Sequence, residues 1–189
     1  VPRRDSSSQR HTYRGQCSHK GYGSEWNISG QSCGKDKRKK NKNINMKISI
    51  ITSCYNRVAT VRDAIRSVLT QDYADIEYII VDGASKDGSK DAIREAVKGH
   101  EDKVKFISEP DHGMYEAINK GIRMATGDYI GLVHSDDFLY SPHTISDIVK
   151  QLEATHADFL YGDGLFVNPE NTDKVVRKWI GGTYRLWKV

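Results

Sequence analysis

Long apolar runs and cysteines are both scarce in this sequence, and their scarcity excludes two classes of protein. No stretch approaches the roughly 18 apolar residues that a membrane-spanning helix needs, and no apolar signal core stands near the N-terminus. Three cysteines among 189 residues are too few and too scattered for a disulfide framework. We therefore predict no integral membrane span and a cytoplasmic location, with peripheral attachment to the inner membrane face left open.

A basic main body is also missing, although the formal net charge is +4. Residues 1–45 carry 11 Lys and Arg against 3 Asp and Glu, whereas residues 46–189 carry 18 against 22. The mildly acidic main part argues against a nucleic-acid-binding protein. Residues 1–45 are poor in aliphatic side chains, so we predict a disordered basic tail there. Because Val1 opens the chain and Met46 precedes the first strand-like run, we hypothesise that natural translation starts at Met46.

From Met46 onward, strand-like and helix-like segments alternate. Alternation of this kind is typical of βαβ units in a mostly parallel sheet. The predicted strands cover residues 47–51, 77–81, 104–107, 129–133, 159–161, 164–167 and 175–179. The predicted helices cover residues 60–70, 89–97, 114–125 and 142–154. The side chains of the third helix that are predicted to face the core are Ala117, Ile118, Ile122 and Ala125.

Polar side chains follow four of these strands, where an α/β sheet binds its ligands. Hydroxyl, aromatic and carboxylate groups at such an edge suit a nucleoside, and adjacent acids suit a hard divalent cation that carries a diphosphate. No Gly-rich phosphate loop follows any strand, so metal-assisted diphosphate binding is the more economical interpretation. The residues at the four strand ends are Thr52, Tyr55 and Asn56, then Asp82, then Glu109 and Asp111, and finally Asp136 and Asp137.

Each of these features also has a purely structural interpretation. Asp82 followed by Gly83 could be a turn, and the Asp136–Asp137 pair could be a helix N-cap with a solvated neighbour. His134 could be a buried imidazole. Cys54 is predicted to be an inert thiol, because neither a helix N-terminus nor a histidine base is evident beside it.

Taken together, four segments resemble the family 2 glycosyltransferases, which have the GT-A fold. The resemblance covers about residues 47 to 167, and the segments stand in the order that the family shows. They are ISIITSCYN (48–56), IVDGASKDGS (80–89), SEPDHGMYEAINKG (108–121) and ATGDYIGLVHSDD (125–137).

The resemblance implies an α/β, Rossmann-like GT-A domain over residues 46–189. It also implies an inverting enzyme that moves a sugar from a nucleotide-diphospho-sugar, with a UDP-sugar favoured, to a hydroxyl of a carbohydrate or lipid-linked acceptor. The reaction would belong to polysaccharide or glycolipid synthesis. The implied cofactor is Mg²⁺ or Mn²⁺, bound by Asp136 with Asp137 beside it. The implied donor-binding residues are Thr52, Tyr55, Asn56, Asp82, Glu109, Asp111, Asn119, Lys120 and His134.

The sequence departs from the family pattern in three ways. Gly83 stands where many members have a second acid, and His134 stands where the metal motif has its first acid; a histidine there could bind a ribose hydroxyl or a metal. The acceptor half, with the base that inverting chemistry requires, is expected beyond Val189, since Asp158 and Asp163 lie outside the motifs. The alternative is a non-catalytic module that binds nucleotide-sugars. A nucleotidyltransferase would need a triphosphate loop near 52–57, which is missing.

Overall fold

The computed structural model describes residues 46–181 and, for the backbone alone, two strands in the N-terminal stretch. Residues 182–189 and the rest of residues 1–45 lie outside the described residues, and the predicted tail with them. The strands are β1 (Gly15–Lys20), β2 (Tyr22–Trp26), β3 (Ile48–Cys54), β4 (Ile76–Asp82), β5 (Val104–Ser108), β6 (Tyr129–Leu132), β7 (Asp137–Leu139), β8 (Gly164–Val167) and β9 (Val175–Trp179). The helices are α1 (Val61–Leu69), α2 (Ser89–Ala96), α3 (Met114–Met124) and α4 (Thr144–Thr155).

A four-stranded parallel sheet, with strand order β5-β4-β3-β6, forms the centre of the domain. β3 pairs in parallel with β4 on one side and β6 on the other, and β4 pairs in parallel with β5. One helix separates each strand of this sheet from the next along the chain, as a parallel connection requires. The predicted α/β fold is confirmed. Within residues 46–181, no helix is both long and apolar enough to cross a bilayer.

Helices cover both faces of this sheet, which is why its central strands are apolar almost throughout. Every residue of β3 is buried. On one face, Ile50 packs in a cluster with Ile65 of α1 and Ile93 of α2. On the other face, Ile51 packs with Ala117 of α3. Because alternate residues of a strand point to opposite faces, one strand contributes to both layers.

A second sheet has the strand order β7-β1-β2-β8-β9. β8 and β9 pair antiparallel, with Gly164 opposite Trp179, and both strands match their predicted ranges. β1 and β2 pair antiparallel along the backbone, within the range for which the sequence predicts a disordered tail. β7 was not predicted: its three residues are too few for a pattern, and it forms by pairing with β1.

Some local predictions are wrong. Residues 159–161 form no strand; the rings of Phe159 and Tyr161 stack instead, with centroids 6.3 Å apart. Ile122 was expected in the core but is 44% exposed, because α3 packs through its neighbours on another side of the helix. The fourth helix begins two residues late, since Pro142 lies in the preceding turn, where its carbonyl accepts the N–H of Asp72 at 2.9 Å.

Glu77, near the start of β4, is a buried carboxylate that joins several elements. Its oxygens accept the Ser49 hydroxyl (2.6 Å), the Lys105 ammonium (2.6 Å) and the N–H and hydroxyl of Thr126 (2.8 and 3.0 Å). Burial alone raises the pKa of Glu77, but these hydrogen bonds outweigh it and lower the pKa to about 2. The carboxylate therefore ties β3, β5 and the turn before β6 to β4.

Candidate functional site

The loops after β3 and β4 are joined to each other by reciprocal hydrogen bonds. Asn56 accepts the N–H of Lys86 on its side-chain oxygen (3.0 Å), while its own N–H donates to the Ser85 hydroxyl (2.8 Å). Asp87 accepts the N–H of Val58 at 3.0 Å. Asn56 has a left-handed φ of 51°, a conformation that asparagine tolerates better than most residues. Asn56, predicted to bind the donor, thus joins the two loops, residues 55–60 and 83–88, which together form the rim of the site.

Asp82, predicted to hold a nucleoside, anchors the loops beside it. Its side chain is completely buried, and it accepts the Ser108 hydroxyl (2.7 Å), the Ser85 N–H (3.1 Å) and the Ser85 hydroxyl. The carboxylate fastens the end of β5 and the loop after β4. Its predicted contact with a nucleoside stays a prediction.

Thr52, also predicted to bind the donor, is likewise bonded inside the fold. It is completely buried, and its hydroxyl donates to the carbonyl of Val133 (2.6 Å), so it accepts the hydroxyl of Tyr78 (2.8 Å). Burial raises the pKa of Tyr78, which keeps its proton for this bond. Tyr55, three residues on, is 59% exposed at the rim. Of the two, Tyr55 alone offers a surface for a ligand.

The loop between β5 and α3 carries the next group of predicted residues. Lys120 reaches back from α3, where its ammonium donates to the carbonyl of Pro110 (2.9 Å) and pairs with Glu109 (3.0 Å). The hydrogen bond with Glu109 raises the pKa of Lys120. Asn119 lies on the exposed side of α3. Asp111 accepts the N–H of Gly113 at 3.0 Å, and its carboxylate lies against the backbone at the end of β4.

The predicted metal-binding acids stand between β6 and β7. Asp136 lies in the turn, with one oxygen 3.4 Å from Nε of Arg57. Asp137 opens β7, and its N–H donates to the carbonyl of His134 at 2.9 Å. The ring of His134 contacts the hydroxyl of Ser53, with Nδ1 and Oγ 3.1 Å apart. Arg57 was missed by the sequence prediction, although a basic residue directly after the first strand-end motif was a usable signal.

These residues fit a cation that arrives with its phosphates. Within residues 46–181, no group of three or more His, Cys, Asp or Glu side chains is arranged to hold a metal alone. A magnesium-type ion, however, is commonly bound through one or two carboxylates together with substrate phosphates. The Asp136 side chain is one-third exposed, so it can serve as such a ligand. Arg57 beside it adds a planar donor suited to phosphate oxygens.

Cys54, at the end of β3, is expected to resist alkylation. It is 3% exposed, and burial, together with the nearby charge of Asp82, raises its pKa to about 11. Because the thiolate is the reactive form, iodoacetamide at slightly alkaline pH should leave the Cys54 peptide unmodified in the folded chain. The same peptide in concentrated urea is the control. Equal labelling in both states, measured by peptide mass spectrometry, would contradict this assignment.

Comparison with known proteins identifies the chain's family. The sequence model described as "Glycosyl transferase family 2" matches residues 49–188. The chain belongs to this family. An uncharacterized glycosyltransferase of Nostoc sp. is 34% identical over 134 residues, which are 67% of this chain and 41% of that protein. The poly-beta-1,6-N-acetyl-D-glucosamine synthase of Staphylococcus epidermidis is 36% identical over 90 residues, which are 47% of this chain and 21% of that protein.

Solved structures confirm the GT-A architecture of this family 2 chain. The Pyrobaculum calidifontis mannosyltransferase PcManGT, in complex with GDP-Man and Mn²⁺, matches with a TM-score of 0.55 and 24% identity over 67% of this chain and 35% of that one. Residues 1–349 of S. aureus TarS in complex with UDP-GlcNAc match with a TM-score of 0.53 and 26% identity, over 60% of this chain and 33% of that one. The chain thus spans less than half the length of these relatives.

Proposed function

We propose that this chain is the donor-binding part of an inverting glycosyltransferase that uses a nucleotide-diphospho-sugar. The observation that carries the proposal is the meeting of Asp136 and Arg57 where β6 and β3 end. An acid and an arginine side by side, with the exposed Tyr55 two residues before the arginine, provide groups for a cation, a diphosphate and a base. Family membership supplies the reaction class.

In the proposed complex, the residues at the strand ends orient the donor. Arg57 binds a phosphate oxygen, because its guanidinium presents paired N–H donors. Asp136, with Asp137 beside it, holds Mg²⁺ or Mn²⁺, which offsets the charge that develops on the departing nucleoside diphosphate. Asn56 keeps the rim in place, and Tyr55 offers a ring face for the base. His134 stands close enough to Ser53 to be held in one orientation.

Two relatives support the choice of donor and product. PcManGT and TarS were solved with GDP-Man and UDP-GlcNAc, so nucleotide-sugars are the donor class that we propose, with a UDP-sugar favoured. The relative that is named a polysaccharide synthase supports a carbohydrate or lipid-linked acceptor. We propose a cytoplasmic reaction, with peripheral attachment to the inner membrane face as the alternative. Neither Asp158 nor Asp163 is assigned as the acceptor base.

Replacing Asp136 by Ala is expected to weaken Mn²⁺-dependent binding of UDP-GlcNAc by at least about 10-fold, because a charged ligand contributes about 1.5–3 kcal/mol. Isothermal titration calorimetry with and without Mn²⁺ measures this. Asp91→Ala, which removes an exposed acid on α2, is the matched control and should bind like the wild type. Unchanged, metal-independent binding by Asp136→Ala would contradict the proposal. Binding without sugar transfer or donor hydrolysis would favour the non-catalytic module.

A further inference from the structure

The strand β9, at one edge of the second sheet, exposes apolar side chains to solvent. Within the described part of the chain it pairs with β8 alone, and each of its residues is exposed. A single exposed apolar residue is common, but Val176, Trp179 and Ile180 stand close together here. The Trp179 side chain is 52% exposed and that of Ile180 is 68% exposed. Apolar side chains gathered at a surface mark a site of interaction.

A second segment, residues 159–161, adds two aromatic rings beside the end of β9. Phe159 is exposed, and its ring stacks on that of Tyr161 with the centroids 6.3 Å apart. At Gly181 the chain after β9 is held to this region, because its N–H donates to the carboxylate of Asp163 at 2.7 Å. A Cβ placed on Gly181 would lie 3.2 Å from Cδ2 of Tyr161. We call this surface the apolar patch; its members are Phe159, Tyr161, Val176, Trp179 and Ile180.

Positive charge is concentrated beside the apolar patch. Arg177 and Lys178 lie within β9, and both are exposed. The guanidinium carbon of Arg177 stands 5.6 Å from the centroid of the Phe166 ring, which keeps this cation close to the strand. Residues 174–189 include five Lys and Arg and no Asp or Glu, although residues 46–189 carry 18 against 22. The cations are therefore gathered next to the patch, against the overall charge of the domain.

This mixture of side chains favours one kind of partner. Trp and Tyr are enriched at the level of lipid headgroups, and basic residues near a membrane are attracted to anionic lipids. A symmetric contact between two copies would bring like cations together, which is unfavourable. A nucleic acid would use cations and rings, but it would not cover the aliphatic side chains of Val176 and Ile180. An anionic bilayer accommodates the rings, the aliphatic groups and the cations.

We propose that the apolar patch docks on an anionic phospholipid bilayer. Trp179 and Ile180 enter the headgroup region, while Arg177 and Lys178 contact lipid phosphates. The long stems of these two basic side chains allow their charges to stay at the phosphates beside an inserted patch. The inference goes beyond the proposed function, since β9 and β7, the strand that follows Asp136, lie at opposite edges of the second sheet. Docking would bring the chain to lipid-linked acceptors.

Neutralising two cations tests the electrostatic part of the docking. Vesicles of phosphatidylcholine and phosphatidylglycerol in equal parts should sediment the wild-type chain, and vesicles of phosphatidylcholine alone should sediment far less of it. Arg177→Gln/Lys178→Gln should lower the partition coefficient about 25-fold, because each basic residue near an anionic surface contributes about 5-fold. Lys98→Gln/Lys103→Gln removes the same charge from two other exposed lysines and should bind like the wild type.

Ile180→Ser tests the insertion of the apolar patch without a change in charge. The partition coefficient should fall about 10-fold, a loss typical of an aliphatic side chain that no longer leaves water. Ile122→Ser is the matched control, because it changes an exposed isoleucine on α3; this variant should bind vesicles like the wild type. Circular dichroism of each variant shows whether it is folded, so that a loss of binding is assigned to the surface.

The outcomes decide the proposal without reference to donor binding, because the vesicle assay contains no nucleotide. Selective losses in both patch variants support the docking surface. A wild type that binds neither kind of vesicle would overturn it, as would a loss in only one of the two patch variants. An equal loss in Lys39→Gln/Lys40→Gln, which removes two charges from the basic N-terminal stretch, would show unspecific attraction. A dimer in analytical ultracentrifugation that Ile180→Ser abolishes would assign the patch to a second copy and also overturn the proposal.

Discussion

Glu77→Gln is expected to lower the free energy of unfolding by about 3 kcal/mol at neutral pH. The pKa of Glu77 is lowered from 4.5 to about 2 in the folded chain, and each pKa unit corresponds to about 1.4 kcal/mol. The amide keeps the shape of the side chain but loses the charge that faces Lys105. Its NH₂ group would also oppose the donors of Ser49 or Thr126. Urea denaturation followed by circular dichroism measures the difference.

The effect of Glu77→Gln should depend on pH in a defined direction. Because the pKa of Glu77 is lower in the folded than in the unfolded chain, the ionised carboxylate stabilises the fold fully above about pH 4.5, and this contribution is lost as the pH falls toward 2. Wild type and variant should therefore approach equal stability in acid.

The matched control for Glu77 is Glu153→Gln, which changes an exposed carboxylate on α4. Surface substitutions of this kind usually change stability by no more than about 0.5 kcal/mol. A loss in Glu77→Gln as small as that of Glu153→Gln, or one that stays constant between neutral and acid pH, would contradict the role given to the buried carboxylate.

Gly127→Ala is expected to destabilise the fold by about 3 kcal/mol, at the upper end of overpacking effects. A Cβ at this position would lie 2.7 Å from both the backbone nitrogen and the hydroxyl of Ser49, and 2.8 Å from the carbonyl of Lys47. The backbone atoms belong to β3 or its entry, which cannot move without breaking pairs with β4 and β6. Thermal and urea unfolding measure the loss.

Gly99→Ala separates this clash from the general effect of adding a methyl group to glycine. Gly99 has a φ of +85°, and nothing lies within 4 Å of a Cβ placed there. Its replacement should cost about 1 kcal/mol, from the left-handed backbone alone. If both variants lose the same stability, the close approach of Gly127 to β3 does not constrain the sheet as described.

The alternation of strands and helices could be predicted because burial leaves a pattern in the sequence. β3 and β4 are covered on both faces, so they are almost wholly apolar, and α1 shows its buried stripe at helical spacing. For Ile122, the same reasoning from residue spacing gives the wrong burial. Its spacing matches the stripe of α3, but whether a neighbour covers that side of the helix depends on distant parts of the chain.

Sequence-based prediction has the same limit for the site residues at the strand ends. Thr52 and Asp82 are polar residues where a ligand was expected, yet both are completely buried. Their partners, the hydroxyls of Tyr78 and Ser108, each stand 26 positions away along the chain. A local sequence pattern does not reveal that such a distant partner will form a hydrogen bond with the side chain. Asp136 and Tyr55 were placed at the exposed edge, as predicted, and their contacts with a donor stay predictions.

The joined loops after β3 and β4 have a consequence for how the rim moves. The side chain of Asn56 accepts a backbone N–H from the loop after β4, and the side chain of Asp87 accepts one from the loop after β3. Opening either loop therefore breaks bonds of the other. Native-state hydrogen exchange should then show these amides opening in one cooperative step, rather than as two independent loops. A rim ordered before the ligand arrives loses little conformational entropy on binding. Selectivity among nucleotides would then depend on contacts rather than on loop closure.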